Sequence, residues 1–555
     1  MSASKPQESG KVRIRPFLNR NEQEFVARRR NTVLQSLKKL RIQCSRDAVP
    51  NIALLGSGGG QRAMVGLLGS LVQLDKAGLL DCILYLSGVS GSTWCMASLY
   101  QEPDWSTKLE TVKDKIIRRI SGPGVSLKDK LAKLKKYYYG KDHFSLTDVW
   151  AVMVITSYVK EIDEHALTEQ WNQHNKDPFP IYAVIDKQCK QYNNEDPWFE
   201  INPHEAGYSL IGAFVDTCNF GSQFHEGTKI NHQEEFDMLY LQALCGSALA
   251  DEVDIKKVKW QKIKERSEHE FPSDDPVSPP VDQCYRVLMD LVDRNLSVLN
   301  GEDPSALDES IRTKLKVLSC GKIQLVPMAK ETSDKRANKH FTLDVCNDLS
   351  NLIDIWPFDA WISICKCMDY WIWGRNYNFL HNMRDEAVPA ALLESETRDY
   401  IDAGLLLNSP YFSVLREERD IDLIISLDFS ESDPLMTVRE AADMCRKQNI
   451  PFPEVNIPSE DVKKPKDFYV FTGKNTPTVI HIPLFNVVNC GDEIEAWRIK
   501  YRTFQGSYSA EMITDLMEVA GKNISNNREK LLEQIQAVIQ KKIFRRFNNS
   551  GCSLI

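Results

Sequence analysis

Leu86-Ser87-Gly88-Val89-Ser90-Gly91-Ser92-Thr93-Trp94 is the stretch on which the reading of this chain turns. Before it, Cys82-Ile83-Leu84-Tyr85-Leu86 is a short apolar run that predicts a buried strand, and Thr93 to Tyr100 predicts a helix. A serine set between small residues at such a strand-to-helix junction has its hydroxyl lifted clear of the backbone. The flanking glycines permit the tight, strained turn that this requires. Ser90 then sits near a helix N-terminus, where the dipole favours developing negative charge.

Working outward, a second glycine-rich turn precedes it at Gly56-Ser57-Gly58-Gly59-Gly60. Asn51 to Leu55 predicts a buried strand and Gln61 to Lys76 an amphipathic helix closed by Gly78. Successive backbone N–H groups with no side chains in the way can converge on an oxyanion, and removing one such donor typically costs about 10²–10³ in turnover. Two plainer readings stand beside that one. A nucleotide-phosphate cradle fails on spacing, because position 61 is Gln where the glycine fingerprints require Gly. A purely structural glycine turn stays open on these residues alone.

The bulk properties set limits. The chain has 555 residues, which implies one large or two fused domains, and its 42% hydrophobic content supplies a substantial core. A net charge of −8 argues against nucleic acid as a partner. The first fifty residues are polar and carry Arg28-Arg29-Arg30, unlike a signal peptide. The strongest apolar stretches, such as Val149 to Val159, are shorter than the roughly 18 residues that span a bilayer. Fourteen cysteines follow no regular framework and read as reduced thiols.

Residues 1–48 form a polar, partly helical lead-in; the strand–turn–helix units over 50–100 begin an α/β layer. Lys128 to Lys141 predicts a surface helix. Residues 251–340 are charged and proline-bearing and read as an insertion or lid, with order expected to return near Trp356 to Trp373. Further strands are predicted at Ile421 to Leu427 and from Thr478 to Val488.

A nucleophilic serine needs a base. None of the ten histidines stands in a glycine-marked strand-end context, and His481, between Ile480 and Ile482, reads as a structural histidine. Asp402, in Tyr400-Ile401-Asp402-Ala403-Gly404-Leu405, is the stronger candidate, with a glycine two positions on that permits a turn. A carboxylate takes a serine proton only if burial and local dipoles raise its basicity. An ordinary turn aspartate fits the tripeptide equally well.

Gly56 to Met64, Ser87 to Trp94 and Asp402-Ala403-Gly404 resemble, in order and approximate spacing, the three signature segments of the cytosolic (group IV) phospholipase A2 family. Asn408-Ser409-Pro410-Tyr411 and Asp422 to Ser430 extend the likeness, which covers most of residues 45–500. The resemblance implies an α/β fold of the patatin-like type: a layered central sheet with helices and an inserted lid or cap, within a catalytic domain over 49–525 whose cap occupies about 230–400. It implies Ser90 as nucleophile, Asp402 as general base without histidine, and Gly59 and Gly60 as oxyanion-hole donors. It also implies Arg62 as the ligand of the head-group phosphate, a role that suits a guanidinium fork. Position 61, usually aromatic in this motif, is Gln.

Many members of that family open with a calcium-binding C2 module. Here the catalytic turn arrives at residue 56 and no EF-hand-type acidic loop is present, so no metal or other cofactor is expected. In this the chain looks most like the family's gamma type. Cys552-Ser553-Leu554-Ile555 fits a prenylation box, and Leu531 to Phe547 predicts an amphipathic helix bearing Lys541, Lys542, Arg545 and Arg546. A lipid chain with a basic patch would hold the tail, 526–555, on an anionic membrane. The expected location is the cytoplasmic face of intracellular membranes, the endoplasmic reticulum foremost, with some protein in the cytosol. The expected function is calcium-independent hydrolysis of phospholipid acyl esters, with lysophospholipase and transacylase activities drawing on the same acyl-enzyme. The alternatives are a non-catalytic lipid-binding scaffold that retains the fold, and a Ser-His-Asp esterase.

Overall fold

The runs Ile52–Gly56 (β2) and Leu423–Asp428 (β12) are largely apolar rather than alternating, with Ser426 and Asp428 as the polar exceptions, and both are buried along their whole length. Such runs belong to parallel strands covered on both faces, and the two pair in parallel at the centre of the sheet. A computed structural model describes residues 11–192, 196–250, 303–319, 371–503 and 505–551, with short helical pieces between 283 and 349 and Cys367. Most of the expected insertion over 251–340, Trp356 and Cys552 lie outside the described residues.

The other strands are Arg13–Ile14 (β1), Tyr85–Gly88 (β3), Phe179–Asp186 (β4), Trp198–Ile201 (β5), Glu205–Tyr208 (β6) and Ala213–Asp216 (β7). The hairpin Gln223–His225 (β8) and Thr228–Asn231 (β9) stands apart. Arg375–Tyr377 (β10), Thr397–Asp402 (β11), Tyr469–Phe471 (β13) and Thr478–Pro483 (β14) complete the set. The main sheet runs β1-β7-β6-β5-β4-β3-β2-β12-β14-β13, with β11 on β4 and β10 on β11. From β4 to β14 neighbours are parallel; the flanks are antiparallel. The chain thus has the mixed α/β architecture that the sequence predicts, with boundaries shifted by a few residues.

The C-terminal ends of β2, β3 and β12 come level: Gly56 pairs with Gly88 and with Leu427. Loops beyond such ends are where open α/β sheets bind ligands. One further detail of register matters. β3 covers β4 from Phe179 to Tyr182 and stops at Gly88. The same edge of β4 is then taken by β11, with Asp402 opposite Val184. Continued by two residues, β3 would have set Ser90 opposite Val184; instead the chain turns away there and Asp402 fills the place.

The lead-in is not separate from this body. Helix α1, Arg20–Lys39, buries Phe25, Val33 and Leu37 against the core. Its Glu22, fully buried, accepts from Arg419 Nε at 2.9 Å and from Tyr85 Oη at 3.0 Å. Arg419 also donates to Glu200 at 2.7 Å, and Arg416 to Glu200 at 3.2 Å. The helix Leu127–Gly140 is likewise less exposed than predicted: Lys133 is buried in a pair with Asp237 at 2.6 Å.

The C-terminal helix, Arg528–Gly551, also departs from expectation. It buries Leu531, Ile535, Val538 and Ile539. Lys542 pairs with Asp422 at 2.5 Å, Lys541 donates to the carbonyls of Gly473 and Thr476, and Arg545 donates to that of Lys474. Asp422 offsets the charge of Lys542, whereas Lys541 and Arg545 meet uncharged carbonyls and keep theirs, and Arg546 is exposed. Among the described residues no helix is long and apolar enough to cross a bilayer.

Burial pushes the Glu200 carboxyl up, but Arg419 and Arg416 together outweigh it and hold the pKa at about 2. Glu200→Ala is expected to lower the unfolding free energy by about 3 kcal/mol, because Arg419 and Arg416 lose the carboxylate they share but keep Glu22 and, at 3.6 Å, Glu205. Because the folded-state pKa is depressed, this stabilisation is present above the ordinary value of 4.5 and is lost as pH falls toward about 2. Urea denaturation of wild type and variant at pH 7 and in that acid range checks both; coincident curves at pH 7 would contradict the assignment.

Candidate active site

Ser90 carries φ 51° and ψ −122°, a left-handed conformation that a residue with a side chain adopts only at a cost of about 1–3 kcal/mol. The junction predicted from the glycines is therefore a strained elbow, at the N-terminus of α3, Gly91–Tyr100. Hydroxyls around it are tied to backbone: Ser87 Oγ donates to Ile181 O at 2.9 Å, Ser92 Oγ to Ser57 O at 2.7 Å and Thr93 Oγ1 to Ser90 O at 2.5 Å.

The glycine turn presses directly on this elbow. A Cβ on Gly91 would stand 1.9 Å from Gly60 O, and one on Gly56 2.6 Å from Ser92 Oγ. Within the turn the three glycines differ. Gly58 N–H donates to Asn408 O at 3.0 Å. Gly59 (φ 155°) and Gly60 (φ 57°) open helix α2, Gly60–Lys76, and among the described residues neither N–H donates to a backbone oxygen. Two donors at a helix N-terminus are suited to hold an anion.

Asp402 ends β11, 2% exposed, at the position beside β4 that β3 vacates. Its N–H donates to Ser247 Oγ at 3.1 Å and its Oδ1 accepts from Gly404 N at 2.8 Å. Burial, and after it the charge of Asp402, push the Cys245 thiol well up, so that neighbour stays protonated. Asn408 links the pieces. Its Nδ2 donates to Gly58 O at 3.2 Å and to Ser430 Oγ at 2.9 Å.

A family model for the lysophospholipase catalytic domain matches residues 52–252, the span that contains the glycine turn and the elbow. The chain is 34% identical over 544 residues to human cytosolic phospholipase A2 gamma, covering 96% of this chain and 97% of that protein. It is 33% identical to the mouse protein of that name, covering 94% and 91%. The chain belongs to the cytosolic phospholipase A2 family. Among solved structures, human GIVD cytosolic phospholipase A2 superposes with a TM-score of 0.69 at 21% identity, over 97% of this chain and 67% of that one, which establishes the shared fold.

Family membership makes the fate of Arg62 informative. The phosphate-binding role carried by the resemblance does not fit this arrangement: the side chain is 1% exposed. Its Nε donates to Phe429 O at 2.7 Å, Nη1 to Tyr501 O at 2.6 Å and Nη2 to Thr503 Oγ1 at 3.3 Å. The fork thus fastens the end of β12 and the 501–503 segment over the glycine turn, where the five N–H donors of a guanidinium match clustered carbonyls. Gln61, the departure from the family's aromatic, accepts from Tyr508 N at 3.1 Å and joins the same strap.

His481 lies inside β14, its Nε2 hydrogen-bonded to Pro434 O at 2.6 Å, and burial lowers its pKa. It is the buried strand histidine the sequence predicts, although its Nδ1 has no hydrogen-bond partner among the described residues. What residue patterns missed was the lacing: Ser57, whose Oγ accepts from Phe429 N at 2.6 Å, Ser247, and above all Asn408. The sequence signal for Asn408 was its place in Asn408-Ser409-Pro410-Tyr411, which extends the family likeness but gives it no role; the structure shows that it comes close to Gly58 and Gly404.

Gly91→Ala places a methyl group on Gly60 O, and overpacking of this kind costs about 1–3 kcal/mol. The expected outcome is a lowered Tm together with a loss of ester hydrolysis of about 10²-fold, the cost of misplacing oxyanion donors. Wild-type turnover in a folded Gly91→Ala protein would show that the turn and the elbow need not touch.

Proposed function

We propose that this chain is a calcium-independent phospholipase A2 that cleaves glycerophospholipid acyl esters through Ser90 and Asp402, with lysophospholipase and transacylase activity from the same intermediate. The observation that supports this reading is the exchange along β4: β3 ends opposite Tyr182, and Asp402 pairs with Val184, the residue that Ser90 would have faced had β3 continued.

In the proposed sequence the Ser90 Oγ attacks the acyl carbonyl carbon while its proton passes to the Asp402 carboxylate. The oxyanion so formed is held by the Gly59 and Gly60 N–H groups, aided by the α2 dipole. Collapse breaks the bond to the glycerol oxygen, which takes the proton from Asp402 and leaves as lysophospholipid. The acyl-enzyme is then attacked by water, giving fatty acid, or by a lysophospholipid hydroxyl, giving a new diacyl lipid; Asp402 receives the proton and returns it to Ser90 Oγ. All of these groups belong to the chain itself, and no step calls for a metal.

Attachment to the cytoplasmic face of the endoplasmic reticulum through a prenyl group on Cys552 forms part of the proposal, supported by the Cys-Ser-Leu-Ile motif and by the charges that Lys541, Arg545 and Arg546 retain. Cys552→Ser should shift the protein from the membrane pellet to the soluble fraction; unchanged pelleting would contradict it.

Fatty-acid release from labelled phosphatidylcholine vesicles in excess chelator tests the chemistry. Wild type is expected to retain its rate, Ser90→Ala to lose it, and Asp402→Ala to fall by about 10²–10⁴-fold, the usual worth of a general base. Release surviving Ser90→Ala would overturn the nucleophile, release abolished by chelator would overturn calcium independence, and an inactive wild type would favour a lipid-binding scaffold.

A further inference from the structure

Asn408 does more than lace the turns. Its amide orientation is fixed by chemistry: the atom facing Gly58 O must be the donor Nδ2, because a carbonyl only accepts. Oδ1 is therefore the atom turned the other way, and its surroundings can be located. It lies 2.4 Å from the point where a Cβ on Gly58 would stand, and Ser90 Cβ lies 3.1 Å from that same point. It also lies 2.9 Å from the point where a Cβ on Gly404 would stand, with Asp402 Oδ1 3.1 Å from that point. Oδ1 thus occupies the notch between the Ser90 elbow and the Asp402 turn. Both glycines are needed there, since a methyl group at either would displace it. Asn408 is only half-buried, and among the described residues nothing donates a hydrogen bond to Oδ1.

The geometry points to Asn408 Oδ1 as the group that selects water over an alcohol as the acyl acceptor. This rests on the Ser90–Asp402 reading. Deacylation forms a bond between the acceptor oxygen and the acyl carbon and breaks the bond from that carbon to Ser90 Oγ. One acceptor proton moves to Asp402, and from there to Ser90 Oγ. Water brings two O–H groups: one faces Asp402 and the second is donated to Asn408 Oδ1. A lysolipid hydroxyl or any simple alcohol brings one, which Asp402 claims, and Oδ1 is left without a donor. A site that hydrogen-bonds one acceptor discriminates against another that lacks the donor, because the protein's polar group is then unmatched. Asn408 accordingly tilts the acyl-enzyme toward hydrolysis, and its loss tilts it toward transfer.

The test is a partition ratio. Wild type and Asn408→Ala are given labelled phosphatidylcholine vesicles in a fixed concentration of ethanol, and free fatty acid is measured against fatty acid ethyl ester. Both products leave one acyl-enzyme, so a smaller folded fraction or a slower acylation cancels and a merely structural role leaves the ratio where it was. The ratio of acid to ester is expected to fall by about fivefold in Asn408→Ala, the worth of one neutral hydrogen bond. Ser430→Ala removes a partner of Nδ2 but keeps Oδ1, and should hold the wild-type ratio. A ratio in Asn408→Ala that is unchanged or shifted toward acid overturns the inference, as does an equal fall in Ser430→Ala. Should Asn408→Ala fail to fold, Asn408→Leu, close in shape and without an acceptor oxygen, must show the same fall; an unchanged ratio there overturns the inference too. Failure of the underlying reading looks different: neither acid nor ester depends on Ser90.

Discussion

Everything at the site depends on one constraint of register: β3 must stop at Gly88. A strand two residues longer would have covered β4 as far as Val184, the residue that Asp402 pairs with at the end of β11. Where it stops, the chain enters the left-handed turn at Ser90, and a carboxylate from a segment over three hundred residues away stands at the same level of the sheet. The strain at Ser90 is held by what surrounds it, namely the backbone bonds of its neighbouring hydroxyls and the close contact of Gly91 with Gly60 O. Strain of this kind persists only where the surrounding structure over-determines it.

The glycines serve different purposes in this arrangement. Gly91 and Gly56 are glycine because another backbone or side chain occupies the space of a Cβ; Gly59 and Gly60 combine that with a positive φ that aims their N–H groups. Gly58 is distinct: its N–H is engaged and its open face admits the Asn408 side chain. Around them Arg62, buried with its guanidinium on three protein oxygens, acts as a fastener for the turn rather than as an open anion site. Loss of this arginine would therefore act first on the position of the Gly59 and Gly60 turn.

How far this was legible beforehand follows from the range of each interaction. β2, α2, β3 and the elbow were readable because their signals are local: an apolar run, a glycine turn and a helix follow one another within a dozen residues. Asp402 was readable only weakly from its tripeptide and became compelling through resemblance, since its partner strand is set by tertiary register. The buried cluster of Glu22, Glu200, Arg416 and Arg419 left no trace, because exposed and buried charges look alike in a sequence; so a helix that belongs to the core was taken for a lead-in. The C-terminal cations were legible only in part. Lys541 with Arg545, and Lys542 with Arg546, have the i,i+4 spacing of a basic stripe, but Lys542 is turned inward to Asp422, a partner that tertiary structure alone supplies. Asn408 went unassigned because its importance lies in the two glycines it reaches, neither adjacent to it in the chain.

The central claim is that Ser90 is the nucleophile and that its reactivity is drawn from Asp402. Covalent capture addresses it most directly: the protein is exposed to a long-chain alkyl fluorophosphonate, digested, and its adducts mapped by mass spectrometry over time. A single adduct is expected on the peptide containing Ser90, forming in wild type and strongly slowed in Asp402→Ala. An adduct on another residue, or one that forms on Ser90 at the same rate without Asp402, would contradict it.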